Sequence, residues 1–132
     1  RPFHPTRLQA FVQSNWQGVV RAKGFFWLAT RQGWVGELSQ AGPQVKTKGI
    51  GRWWVDIPKE NWPQDPAWLS MMKDRWDETY GDRMQEIVFI GIDYNEAELR
   101  QRLDACLLTP EELKQGPKAW NALPDPFSEW GM

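Results

Sequence analysis

The chain has 132 residues, a mean hydropathy of −0.65 and a formal charge of −1. That length suits one domain, has no apolar run long enough for a membrane helix, and carries no bulk charge to draw it to nucleic acid. One cysteine, Cys106, excludes an internal disulfide and fits a reducing cytoplasmic setting, and with one histidine, His4, it falls short of a closed Cys/His zinc site.

Pro5 at a first helical position and the spacing of Leu8, Phe11, Val12 and Trp16 predict a helix over 5–16, ended by Gly18. Residues 19–30 read as a strand. One face (Val20, Ala22, Gly24, Phe26, Leu28) is apolar or small; the other (Val19, Arg21, Lys23, Phe25, Trp27) is basic and aromatic, which solvent alone does not explain. Gln32 and Gly33 turn the chain into a second strand near 34–40, and Gly42 and Pro43 turn it into a third over 45–54. After a Pro-rich loop, Asp65 caps a helix with Pro66 at its first position and Trp68, Met72 and Trp76 as its buried stripe. Residues 86–92 are apolar on both faces, the pattern of a central strand covered on two sides. Asn95 and Thr109 open two capping boxes, the first helix burying Leu99, Leu103, Cys106 and Leu107, and the second stopping at Gly116. The sum is an α+β domain with about four antiparallel strands in the order α-β-β-β-α-β-α-α. Residues 1–132 form one domain in this reading, with the Trp- and Pro-rich tail 120–132 packed back as an extended arm.

Charge is uneven along the chain. Residues 1–60 hold nine Lys/Arg against three acids, a balance of +6, and the remainder balances at −7. Such asymmetry predicts faces of opposite sign. Ten tryptophans are more than so small a domain is expected to bury alone, so some should face a partner.

Chemical motifs are sparse. No phosphate-binding G-x-x-x-x-G-K-[ST] loop, nucleophile elbow or zinc-protease helix is present, and Gly49 and Gly51 lack the third glycine of a dinucleotide fingerprint. His4 reads as a helix cap or packed surface residue, and Cys106 on a helix stripe as a small hydrophobe. A small enzyme would need a pocket joining at least two of Asp82, Glu86, Asp93 and His4. The run Lys23 to Leu28 partly mimics an RNA-recognition strand, but Phe26 stands where a small residue is required.

Six short segments in order carry a resemblance. They are residues 1–5 (RPFHP), 18–27 (GVVRAKGFFW), 51–54 (GRWW), 81–91 (GDRMQEIVFIG), 103–109 (LDACLLT) and 125–127 (DPF). Together they resemble the C-terminal domain of CobW-type P-loop GTPases. The resemblance implies a four-stranded antiparallel sheet with helices on one side. It also implies a parent protein that supplies zinc, cobalt or iron to client enzymes, in cobalamin synthesis or metal homeostasis. GTP, magnesium and the main metal belong, in that family, to a GTPase domain with a Walker motif and a Cys-x-Cys-Cys motif, neither of which occurs in these residues. No catalytic, cofactor or metal residue is therefore expected in this chain.

The expected role is a non-catalytic interaction or regulatory module. Its candidate surface is the strand face of Arg21, Lys23, Phe25 and Trp27, with a second patch at Asp82, Arg83, Gln85 and Glu86 that could equally be a hydrogen-bonded turn. Expected partners are the GTPase domain, a client metalloprotein or a second copy, with no membrane; base stacking on the same face is the alternative.

Overall fold

The computed structural model describes residues 1–130. Its elements are α1 (Pro5–Val12), β1 (Val19–Trp27), β2 (Val35–Ala41), β3 (Gln44–Gly51), α2 (Pro66–Arg75), β4 (Glu86–Gly91), α3 (Glu96–Asp104), α4 (Pro110–Lys114) and α5 (Pro117–Asn121). Two 3-10 turns, Trp54–Asp56 and Lys59–Asn61, lie between β3 and α2. The strands form one antiparallel sheet in the order β3-β2-β1-β4, the α+β arrangement anticipated above.

Local chemistry sets the element ends. His4 Nδ1 accepts from the Thr6 amide at 3.2 Å and caps α1, with Pro5 behind it. The helix stops at Val12 rather than 16 because Ser14 Oγ and Trp16 Nε1 donate to the Phe11 carbonyl at 2.6 and 2.9 Å, turning the chain back. Trp16 then stacks on Phe11 at 5.0 Å. Asp65 and Asn95 cap α2 and α3, and Thr109 with Glu112 makes the full capping box of α4. The segment from Trp120 onward is not wholly extended: Pro117 starts α5, and buried Trp120 lies within it, Nε1 donating to the Glu112 carbonyl at 2.8 Å. Residues 131 and 132 of the anticipated tail lie outside the described residues.

The core has two parts, one on each face of β1. Ala22, Phe26 and Leu28 point to the inner face with Leu38 of β2, where Leu8, Phe11 and Trp16 from the first segment and Leu99 and Cys106 from the α3 region close over them. Trp27 belongs to the second part with Trp53, Leu108 and Trp120, under the excursion that includes the 3-10 turns and Tyr80. A bulge between Val19 and Arg21 changes one assignment: Val19 packs on the inner core, while Val20 is 51% exposed. The N-terminus threads between the end of β1 and residues 106–108. Phe3 N–H donates to the Trp27 carbonyl at 2.8 Å and Leu108 N–H to the Pro2 carbonyl at 2.9 Å.

Two carboxylates tie distant segments. Arg7 donates to Glu112 at 2.5 Å, and this bond, aided by the Thr109 amide, holds the Glu112 carboxyl down at about 2. Burial alone would raise Asp125, but bonds from Arg31 (2.9 Å) and Thr30 outweigh it and hold that carboxyl below its ordinary value. Both groups bind protons more weakly folded than unfolded, so their contribution is complete above the unfolded carboxylate range and is lost as pH falls. The urea midpoint should therefore hold steady between about pH 7 and 5, then decline through about 4 toward 2. Asp125→Asn should lower the plateau and flatten the acid limb. An acid limb identical in wild type and variant would contradict this account of Asp125.

Candidate docking surface

The outer face of the sheet holds most of the exposed large apolar side chains among the described residues. β4 lies at the edge rather than at the centre, and its two faces differ. Ile87 and Phe89 pack on the inner core, whereas Val88 is 60% exposed and Ile90 55%. Ile92 just beyond is 72% exposed, and Val20 stands nearby across the bulge. The apolar pattern that suggested burial on two sides thus marks one buried face and one bare face.

Beside this stripe run the basic residues of β1 and β3. In register, Arg21 sits opposite Ile90 and Lys23 opposite Val88. On the other side Lys23 pairs with Ser39, which pairs with Lys46. Lys48 approaches Glu37 at 3.8 Å, a loose, exposed ion pair worth little. The result is an apolar strip flanked by Arg21, Lys23 and Lys46, all exposed.

Two of the sequence-predicted surface residues are elsewhere. Trp27 is 1% exposed: Tyr80 lies 5.1 Å from its ring and Trp120 6.4 Å. Phe25 is half-buried against Trp53, with ring centroids 6.2 Å apart. Both point to the outer face as the alternation requires, but residues 53–83 fold over that end and cover them. The aromatic platform needed for base stacking is therefore missing from the open part of the face.

The second patch is largely structural. Asp82 accepts from the Trp54 and Val55 amides at 2.8 and 2.9 Å, satisfying the start of a 3-10 turn. Gly81 has φ +69°, and a Cβ there would lie 2.5 Å from Val55 Cβ, so this tight approach requires glycine. Arg83 pairs with Asp56 at 2.9 Å and donates to the Gln32 carbonyl at 3.3 Å. Gln85 Oε1 accepts from the Trp27 amide at 2.7 Å, and its Nε2 donates to the Arg1 carbonyl. Only Glu86 of this patch stands exposed, at the start of β4. Of the eight predicted surface residues, Arg21, Lys23 and Glu86 share the bare face with Val88, Ile90 and Ile92. These three were missed because apolar character was equated with burial.

The tryptophan excess is mostly internal. Trp54, Trp62, Trp68 and Trp76 form a chain of contacts at 5.0, 5.9 and 5.5 Å that binds the 3-10 turns to α2. Only Met72 of the expected α2 stripe is buried, since Trp68 and Trp76 spread sideways into that chain. Beyond it, Met71 is 41% exposed in a groove with Ile50, Arg52 and Trp54 that continues the outer face.

No described groove joins the acid and base candidates. Glu86, Asp93 and Asp82 line three separate grooves, and His4 lines none of these. Burial and nearby Arg7 lower His4, which suits a neutral cap accepting from an amide. Burial raises Cys106, whose Sγ lies 3.4 Å from the carbonyls of Arg7 and Arg102. Among the described residues no three His, Cys, Asp or Glu side chains are grouped so that they could hold a metal ion. Among the described residues no helix is long and apolar enough to cross a membrane.

Comparison with known proteins places this architecture. Residues 1–107 match the family described as the cobalamin synthesis protein cobW C-terminal domain. A zinc-regulated GTPase metalloprotein activator of Dictyostelium discoideum is 35% identical over 131 residues, covering 96% of this chain and 27% of that protein. A zinc chaperone of Mycobacterium tuberculosis is 30% identical over 131 residues, covering 98% of this chain and 33% of that protein. This chain thus spans a third or less of the curated relatives it matches. Comparison with solved structures returns no significant match. The chain belongs to the cobW C-terminal domain family.

Proposed function

We propose that this chain is the non-catalytic interaction and regulatory domain of a GTP-dependent metal chaperone, and that its outer sheet face docks the GTPase domain of the parent protein. Family membership and the relatives named for zinc support the metal-supply role, with zinc as the cargo. GTP, magnesium and metal are bound elsewhere in the parent in this reading, and the parent works in the cytosol. Client metalloproteins then meet the assembled pair.

The observation that carries the docking role is the bare strip of Val88, Ile90, Ile92 and Val20 beside Arg21 and Lys23. Apolar side chains side by side on a sheet face are costly to leave in water, and a rim of like charge selects a partner with an acidic border. The matched relatives are about three to four times as long as this chain, so they contain other parts against which such a face can close.

The test is binding in trans between this chain and the GTPase domain of its parent. Val88→Glu with Ile90→Glu should weaken binding by about ten-fold or more, because central apolar contacts carry most of such an interface. Lys23→Glu should weaken it less and reduce its salt dependence. Both variants should melt within a few degrees of wild type, since the side chains are exposed in the isolated domain. Unchanged affinity in the double variant would remove the sheet face from the proposal.

A further inference from the structure

We propose that the free edge of β4, backed by α3, is a strand-addition groove for an extended segment of a partner chain, apolar at alternate positions and flanked by lysine or arginine. It is a different surface from the sheet face and stands independently of GTPase docking. A groove of about 560 Å³ separates β4 from α3, floored by Phe89, Leu99 and Leu103.

The backbone of the edge is available. Ile92 N–H donates to the Gly18 carbonyl at 2.8 Å, so the residues in phase with it (Ile90, Val88, Glu86) turn their backbone groups toward β1. Ile87 and Phe89 turn theirs outward. Tyr94 Oη confirms this geometry by donating to the Phe89 carbonyl at 3.3 Å from the open side. Among the described residues nothing else pairs with that edge.

The two sheet edges are treated differently. β3 carries Lys46 and Lys48, charges that discourage strand pairing. Beyond Glu86 at its start, β4 has no charge, no proline and no bulge of its own. Its six residues offer about 20 Å of pairing length.

Charge identifies the occupant. Glu86 at one end of the groove and Glu96 and Asp104 on α3 outnumber Arg100, and none of these four forms an ion pair among the described residues. A basic-flanked peptide answers them. A second copy does not: antiparallel pairing of two β4 edges with faces matched about Phe89 sets Glu86 opposite Ile92 and beside Asp93 of the other copy, with no cation in either strand.

Phage-displayed random peptides selected on the 132-residue chain test the proposal. The expected binders alternate apolar residues and carry lysine or arginine at their flanks. N-methylation of the two peptide amides facing β4 should weaken a selected peptide about ten-fold, while methylation of the intervening amides should matter far less. Amide exchange at Ile87 and Phe89 should slow on binding. Tyr94→Phe, which frees the Phe89 carbonyl, should tighten binding about three-fold. Glu96→Lys with Asp104→Lys, both at exposed positions, should switch selection to acidic flanks. Failure to enrich any peptide, binders indifferent to N-methylation, acidic flanks on the wild-type chain, or dimerisation protecting Ile87 and Phe89 without peptide would each overturn it.

Discussion

Trp27→Ala should cost about 3–5 kcal/mol in urea or guanidinium unfolding, a large share of the roughly 5–15 kcal/mol that holds a domain together. The indole is 1% exposed and joins segments far apart in the chain: β1 itself, Trp53, Tyr80, Leu108 and Trp120. Its loss leaves a large cavity between segments whose positions are fixed by bonds of their own. Trp120 Nε1 is held by the Glu112 carbonyl, and the turn beyond Tyr80 is held by Asp82 and Arg83. Arg21→Ala on the same strand face, exposed and without a bonded partner among the described residues, should change stability by no more than about 0.5 kcal/mol. A loss below about 1 kcal/mol for Trp27→Ala would show that the second core is not built as described.

Gly24→Ala is the second large effect, at about 3 kcal/mol and a fall of about 10 °C in Tm. A Cβ at Gly24 would lie 2.1 Å from the Glu86 carbonyl oxygen and 2.5 Å from Ile87 Cα. Both are backbone atoms of β4, so no rotamer change relieves the overlap and the strand itself must move away. Amide exchange should quicken first at Val88 and Ile90, which face β1, while β2 and β3 keep their protection. Uniform loss across all four strands would indicate global unfolding instead. A variant with peeled β4 should also lose affinity for the GTPase domain, since the apolar strip loses its alignment with Arg21 and Lys23.

How much of this was legible in the sequence follows from what determines each feature. Strand alternation and turn residues placed the β1–β2–β3 meander, and Asp65-Pro66 and Thr109-Pro110 placed two helix starts, because those signals are local. Alternation also put Phe25 and Trp27 on the face opposite Ala22. What covers them comes from residues 53–83, with Trp120 and Leu108 beside Trp27, and that excursion of 3-10 turns and a short helix has no periodic signal to reveal its destination. Asp82 could not be read as a cap for the Trp54 and Val55 amides, since the contact spans 28 and 27 residues. β4 misled for another reason. An apolar outer face is what a central strand shows, and also what an interface strand shows before its partner arrives. The bulge at Val19 and Val20 is a single extra residue, invisible to a period of two. For the site, residue chemistry identified the basic half of the face and attributed its apolar half to the interior.

Hydroxyl-radical footprinting of side chains is the most direct test of the central claim. Oxidation of Val88, Ile90 and Ile92 would be compared between this chain alone and the parent protein carrying its GTPase domain. The docking account predicts strong oxidation in the isolated domain and protection of about ten-fold in the parent, with Leu69 on α2, away from that face, as the control in the same samples. Equal oxidation of the three residues in both proteins would contradict it.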